Sequence, residues 1–386
     1  MDYFFTEEQL MIRDLTRKIA EEKVKPARQE LDEQNRFPAE IMKELGAVDL
    51  LRVFVPEEAG GLGGGCTEMC IVTEELSRAC AGVATTYSAN ALAAMPVILY
   101  GSKEQKERFL SRIADGDSYA AFALTEAGAG SDVSNIKTTA REVEDGFILN
   151  GTKQFITNGG VADIYTVIAV TDPKRGPRGI SALIVEKGTP GFSFGKEEDK
   201  MGIRASKTTE LVFEDCKIPK ENLLGRRGMG FVVTMKTFDR TRPGVGAQAV
   251  GIAQGAFDEA LEYAKQRVQF GKPITSFQAL QFMLADMATE IEAARALVYA
   301  TARMVDAGAK NVARESAMAK LFASDMAMRV TTDAVQIMGG YGYMKEYPVE
   351  KFMRDAKITQ IYEGTNQIQR QVIALSLIKQ GSGTFI

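Results

Sequence analysis

"TTAREVEDGFILNGTKQFIT" (Thr138–Thr157) decides how the rest of the chain is read. It is rich in β-branched and aromatic residues, and "EDG" interrupts it midway. Two strands joined by a tight turn are the expected outcome. Further short stretches of the same kind, "SYAAFALT", "ADIYTVIAVT", "ISALIVEKG" and "TTELVFEDC", are punctuated by "NGG" and "TPG". Residues 116–225 are therefore expected to form antiparallel strands and hairpins, a small sheet, sandwich or barrel.

On both sides the period changes. "TEEQLMIRDLTRKIAEEKVKPARQEL" repeats apolar residues every three to four positions, with Thr6 placed as an N-cap and acids following in the first turn. "GIAQGAFDEALEYAKQRVQFGK" and "FQALQFMLADMATEIEAARALVYATARMVDAG" carry wide apolar stripes, as long bundle helices do. "PEEAGGLGGG" does not fit a phosphate loop and follows no strand pattern, so it reads as a connection. The predicted organisation is a segregated α+β chain. It has an N-terminal helical domain over 1–115, a β domain over 116–225 and a C-terminal helical bundle over 226–386.

Composition narrows the chemistry. The 386 residues are 45% hydrophobic and 25% charged, with a net charge of −4 and no Lys/Arg block that would suit nucleic acid. There is no histidine, which excludes a Ser-His-Asp triad, a Cys-His pair and a His-bound metal. Cys66, Cys70, Cys80 and Cys216 match no CxxC pair and are expected to be buried free thiols. Redox chemistry would therefore need a bound cofactor. "MDYFFTEEQLMIRDL" lacks a signal pattern and no uninterrupted apolar run reaches about 18 residues, so a cytoplasmic protein without a membrane span is expected.

Several stretches could carry chemistry, each with a plainer alternative. "LTEAGAGSDVSNIKTTA" (124–140) places Gly128 and Gly130 where backbone N–H groups can approach an anion or ring, with Thr125 and Ser131 adding hydroxyls; it is otherwise a glycine-rich turn. "KQFITNGG" (153–160) puts Phe155 and Thr157 on one strand face by period two, suited to holding a flat ring or simply to normal packing. "FDRTRP" sets Asp239 and Arg242 one helical turn apart, a binding pair or a surface ion pair. In "IYEGTNQIQR" (361–370), Glu363 stands between an aromatic residue and a glycine, and is either functional or an ordinary surface acid.

Taken together, "TEAGAGSD", "ITNGG", "FDRTRP", "QRVQFGKP", "VQIMGGYGY" and "EYPVEKFMRDAKITQIYEGTNQIQR" resemble the signature blocks of the acyl-CoA dehydrogenase family, in family order and spacing. The resemblance spans the whole chain and is nearest the short- and medium-chain branches. It implies FAD as cofactor, a homotetramer, and an electron-transferring flavoprotein as partner. It implies removal of the α proton of an acyl-CoA by a carboxylate, with flavin N5 taking the β hydrogen as hydride. By resemblance Glu363 is that base. Some branches carry it instead in the bundle helix, where this chain has Thr241, which cannot act as a base.

The same resemblance assigns the binding residues. Phe122 to Thr125 (including Leu124), Gly130, Ser131, Phe155, Ile156 and Thr157 would line the isoalloxazine. Thr365 and Gln367 would reach other cofactor groups. Arg267, Gln269, Phe270, Gln278, Gln336, Gly339 and Gly340 would hold the pyrophosphate and adenosine, partly from a neighbouring subunit. Asp239 and Arg242 would contact the CoA moiety and Ser131 its pantetheine arm; Phe238, Tyr362 and Gly364 would also bind the substrate, and Gly364 would let the backbone turn close to the flavin. The family often has Trp at position 155 and Tyr at 122; Phe at both keeps flat walls but loses two polar contacts.

"AGVATTYSANALAAMPVILYG" matches the helix that closes the acyl pocket, and no cation occurs between Arg78 and Lys103. A dicarboxylic acyl group would lack a partner there. A short or medium straight chain is expected, with a cyclic or branched acyl group, or the reverse enoyl-CoA reductase reaction, as alternatives. An oxidase and a flavin-free CoA-binding relative are the remaining readings.

Overall fold

The structure, a computed structural model, describes residues 4–380. The first three and last six positions of the two outer segments lie outside the described residues. Helices α1 (Glu7–Ile19), α2 (Lys25–Glu33), α3 (Ala39–Ala47), α4 (Cys66–Ala79) and α5 (Ala81–Tyr100) begin the chain, followed by short α6 (Lys103–Gln105) and α7 (Ser111–Ala114). The α1 N-terminus is a capping box: Gln9 N donates to Thr6 Oγ1 at 3.2 Å and Thr6 N to Gln9 Oε1 at 3.1 Å. "PEEAGGLGGG" is a connection containing one 3₁₀ turn, Glu57–Ala59. Helix α5 is long and apolar enough to cross a membrane, with a mean hydropathy of 1.2 over its most apolar window, which the run-length reading passed over. Yet 78% of that window is buried inside the protein. Its apolarity belongs to the core.

Strands β1 (Ala120–Ala123), β2 (Thr139–Val143), β3 (Gly146–Thr157), β4 (Ile164–Val170), β5 (Ile180–Glu186), β6 (Phe192–Glu197), β7 (Thr208–Pro219) and β8 (Leu223–Leu224) form one sheet. Its order is β6-β7-β3-β2-β4-β5-β8, with β1 on β4. Hairpin neighbours run antiparallel as expected, but β1 pairs β4 in parallel (Ala120↔Ile164 to Ala123↔Val167). The β2–β3 hairpin intervenes between them, and a chain that returns by crossover arrives in the same direction. The sheet is mixed rather than antiparallel throughout. Its inner face has its own core, including Leu149, Tyr165, Val167 and Phe213.

The last segment holds α8 (Gly230–Gln266), α9 (Gln278–Asp306), α10 (Ala313–Met338), α11 (Val349–Thr359) and α12 (Asn366–Gln380). Helices α8, α9 and α10 pack on one another, α12 lies against α10, and α4 covers another side of α8. Pro243 stands inside α8. It cannot donate to the Asp239 carbonyl one turn earlier, and Ser316 Oγ on α10 supplies the missing bond at 2.6 Å. "QRVQFGKPI" departs from the helical pattern. It forms a hairpin of β9 (Val268–Gln269) and β10 (Lys272–Pro273), because Phe270 (φ 51°) and Gly271 (φ 75°) both adopt the left-handed turn that a two-residue loop requires.

Candidate active site

The ends of β1 and β3, the middle of α8, helices α4 and α5, and the loop between α11 and α12 enclose one cavity. Phe122, Leu124, Thr125, Phe155, Ile156 and Thr157 line its sheet side. Phe238, Thr241, Gln248, Tyr362 and Glu363 line its bundle side.

On the sheet side the predicted alternation fails in an instructive way. Register against β7 slips between Lys153 and Ile156, and Phe155 takes φ 59°. This bulge adds a residue to β3, so Phe155, Ile156 and Thr157 all reach the cavity rather than Phe155 and Thr157 alone. Phe155 remains 56% exposed, an unusual place for a strained aromatic residue. The preceding Lys153 points the other way, into the protein. It is fully buried, and its Nζ donates to Glu126 Oε1 at 2.7 Å and to Leu124 O at 2.9 Å. Burial pushes Lys153 down to about 8, against the pull of Glu126. The pair ties β3 to the turn after β1, where Gln154 N also donates to Thr125 O at 2.8 Å. Gly130 and Ser131 sit exposed on that turn, and the space beside Gly128 and Gly130 is open.

On the bundle side, the chain between α11 and α12 makes two successive left-handed residues, Glu363 (φ 50°) and Gly364 (φ 91°). A glutamate there is strained by about 1–3 kcal/mol and must be held by its surroundings. Arg242 Nε donates to the Glu363 carbonyl at 3.2 Å. Gln369 Nε2 donates to the same carbonyl at 3.1 Å and to Gly364 O at 2.8 Å. Lys320 Nζ donates to Gly364 O at 2.8 Å. Among the described residues the carboxylate receives one bond, from Thr241 Oγ1 to Oε2 at 2.9 Å. Burial pushes the Glu363 carboxyl above its ordinary value; the Thr241 hydroxyl, then the charges of Arg242 and Lys320, oppose but do not cancel it. No hydrogen bond within the described residues engages the Glu363 backbone N–H.

Part of the cavity lining is a polar chain of side chains. Gln248 Nε2 donates to Thr85 Oγ1 at 2.7 Å, and the Tyr362 hydroxyl donates to Gln248 Oε1. Burial holds the Tyr362 phenol well above its usual range, so it stays protonated.

The remaining predicted residues lie elsewhere. Asp239 and Arg242, read as a binding or surface pair, are 6% and 4% exposed and form no ion pair with each other among the described residues. Asp239 instead receives Lys236 Nζ at 3.2 Å, while the Arg242 guanidinium lies over the Phe238 ring. Thr365 is half-buried and Gln367 exposed at the start of α12. Arg267, Gln269, Gly339 and Gly340 line a second, open depression, with Arg267 over Tyr341. Phe270 caps the exposed hairpin, and Gln278 and Gln336 are exposed on α9 and α10. Sequence reading missed Lys320, Gln369, Gln248 and the Glu126–Lys153 pair. The lysine amid "AMAKLFAS" and the lysine in the strand "GTKQFIT" were the available signals, since an unpaired polar residue in an apolar stripe has to find a buried partner.

Three family models cover the chain in order. They are "Acyl-CoA dehydrogenase, N-terminal domain" over residues 6–117, "middle domain" over 121–216 and "C-terminal domain" over 228–378. The chain belongs to the acyl-CoA dehydrogenase family. It is an oxidoreductase acting on acyl-CoA, and the family cofactor is FAD. "Acryloyl-CoA reductase (NADH)" of Anaerotignum propionicum is 50% identical over 382 residues, 98% of this chain and 97% of that protein. Butyryl-CoA dehydrogenase of Megasphaera elsdenii is similar in structure, with TM-score 0.95, 49% identity and coverage of 98% and 100%. A solved structure described as "Electron transferring flavoprotein of Acidaminococcus fermentans: Towards a mechanism of flavin-based electron bifurcation" holds a chain matching with TM-score 0.96 and 51% identity, over 98% and 100%.

Proposed function

We propose that the chain removes the α and β hydrogens of a short-chain acyl-CoA, with Glu363 as the base for the α proton. The observation that carries this is a single carboxylate among the cavity-lining residues, desolvated and aimed into a space walled by Phe122, Phe155 and Thr157. FAD suits that space: two aromatic walls, the hydroxyls of Thr125 and Thr157, and open room beside Gly128 and Gly130 accept a flat polar-edged ring. When bound, FAD supplies the acceptor for the hydrogen leaving the β carbon. Arg267 with the open glycines Gly339 and Gly340 would hold its phosphate–adenosine end. That depression is separate from the cavity, which supports an assembly in which two subunits share each cofactor, a homotetramer in the reading by resemblance.

An α proton of a thioester is far too weakly acidic for a carboxylate in water. Burial raises the proton affinity of Glu363 and lets it act as a general base. The Glu363 N–H, otherwise unengaged, would donate to the thioester oxygen and stabilise the developing charge by about 3–4 kcal/mol. The bonded Thr85, Gln248 and Tyr362 side chains occupy part of the lining, which would leave less room for the acyl chain and favours a short one. Among the described residues, no basic side chain lines the cavity to receive a distal carboxylate. Electrons would leave through an electron-transferring flavoprotein. The similarity to an acryloyl-CoA reductase favours a second reading, the same residues working in the reducing direction.

Anaerobic mixing of the FAD-loaded protein with acyl-CoAs of graded length, branching and ring structure tests the proposal. Rapid bleaching of the flavin colour by butyryl-CoA, fading with longer chains, is expected. A protein bleached by no acyl-CoA contradicts it.

A further inference from the structure

A buried charge stands beside the loop that carries Glu363. Lys320, on α10, is fully buried and forms no ion pair among the described residues. Burying an ammonium costs several kcal/mol, and a methionine of similar length would pack without that cost. Its side-chain hydrogen bonds go to the strained loop and to the helix that follows it: Gly364 O at 2.8 Å and Oδ1 of Asn366, the first residue of α12, at 2.8 Å. Asn366 is itself fixed, donating to Ser324 Oγ at 2.9 Å and Asp325 Oδ1 at 2.7 Å.

Given Glu363 as the base, a reading on which this inference rests, we propose that Lys320 is its positioning residue. The ammonium holds the Gly364 carbonyl and thereby the left-handed turn that presents the Glu363 carboxylate to the cavity. Gln369 shares the Gly364 carbonyl with Lys320, and Arg242 and Gln369 hold the neighbouring Glu363 carbonyl. Without these donors the two carbonyls would be buried polar groups lacking partners, and the pair would relax toward ordinary backbone angles.

The charge has a second consequence. Burial pushes Lys320 down to about 7; the charges of Glu363 in the loop and Asp325 on α10 oppose this and that of Arg242 on α8 adds to it, and Asp325 is itself paired with Arg370 of α12 at 2.8 Å. Lys320 and Arg242 both favour the ionised form of Glu363. Below about pH 7, where Lys320 carries its charge, removing the lysine therefore makes Glu363 harder to ionise, and at any pH it loosens the turn. The rate falls and its pH dependence moves upward, two effects that mere loss of packing would not couple.

The test compares Lys320→Met and Lys320→Arg, loaded with FAD, with the wild type in anaerobic bleaching by butyryl-CoA between about pH 6 and 9. If another acyl-CoA proves to be the better substrate, that compound is used. Lys320→Met is expected to keep its flavin and its acyl-CoA affinity. Its bleaching should be slowed by about tenfold or more, as displacement of a reacting group entails, with a midpoint at higher pH. Lys320→Arg should recover rate and midpoint in part. Bleaching of Lys320→Met within about twofold of wild type at an unchanged midpoint overturns the inference. A slow variant with an unchanged midpoint and no rescue by arginine also overturns it. Should Lys320→Met not fold, Lys320→Gln against Lys320→Arg is judged by the same criteria. Failure of the wild type to bleach, or normal bleaching by Glu363→Gln, instead overturns the assignment of Glu363, and this inference with it.

Discussion

Thr241 Oγ1 donates a 2.9 Å hydrogen bond to Glu363 Oε2, so helix α8 and the loop before α12 meet at the carboxylate facing the cavity. Position 241 is where some family branches are expected to place the base itself. Here the threonine tunes the base that stands opposite. A hydrogen bond to the ionised form lowers a carboxyl's proton affinity, and removing it raises that affinity. Thr241→Val should therefore move the midpoint of flavin bleaching to higher pH by about 1 unit, the scale expected for one charge-assisted bond. Stopped-flow bleaching across pH measures it. A downward shift would contradict the geometry.

Glu363→Gln should retain FAD and bind acyl-CoA, yet bleach at least about a hundredfold more slowly, the scale of lost general-base catalysis. Its effect on folding has a definite sign. Burial raises the Glu363 carboxyl in the folded state, so between the ordinary carboxyl value and the raised one the folded chain binds more protons than the unfolded chain. Stability attributable to this group is lost as pH rises through that window. Glutamine carries no such penalty. Thermal unfolding should show the variant more stable than wild type at pH 8, with the gap closing as the solution is acidified.

Much of this was legible in the sequence because it depends on local pattern. The Thr6 capping box needs only "TEEQ", and the helix–sheet–helix order needs only a change from period 3.6 to period 2. Glu363 was legible through its neighbours in "IYEGTNQIQR". The rest depends on who meets whom in space. Nothing in "AMAKLFAS" says that Lys320 finds a carbonyl 44 positions away, and nothing in "FDRTRP" says that Arg242 turns inward to Glu363. Ile156, named by resemblance, does not follow from period two, because the bulge at Phe155 that brings it to the cavity belongs to the pairing of β3 with β7, not to β3 alone. The parallel β1–β4 pair likewise follows from topology rather than from composition.

Phe155 offers a separable test of cofactor binding. It is 56% exposed and sits at φ 59°, so the fold gains little from its ring. Phe155→Ala should leave the flavin-free protein's unfolding temperature nearly unchanged while weakening FAD retention, since the lost aromatic wall is worth about 1 kcal/mol in stacking alone. Phe155→Trp should retain FAD as well as wild type or better. Flavin fluorescence released on dilution reads both. Equal retention in all three would remove Phe155 from the cofactor site.

The Glu126–Lys153 pair yields the sharpest prediction about stability. Both side chains are buried, Lys153 completely, and the contact is 2.7 Å. Burial alone would push the Glu126 carboxyl up, yet the Lys153 charge and the hydrogen bonds from Lys153, Thr138 and Lys137 together hold it below its ordinary value. Glu126→Gln removes the only carboxylate among the described residues that pairs with Lys153 and should cost about 3–5 kcal/mol, because the remaining ammonium stays buried beside the Leu124 carbonyl without a counter-charge. The double variant Glu126→Gln with Lys153→Met removes both charges and should be markedly more stable than the single one in denaturant titration. It should nonetheless hold FAD less tightly than wild type, because the pair anchors the turn carrying Thr125, Gly130 and Ser131 to β3. If FAD retention returns together with stability, the pair serves the fold alone. If stability returns without retention, the pair is what sets the turn against the cofactor.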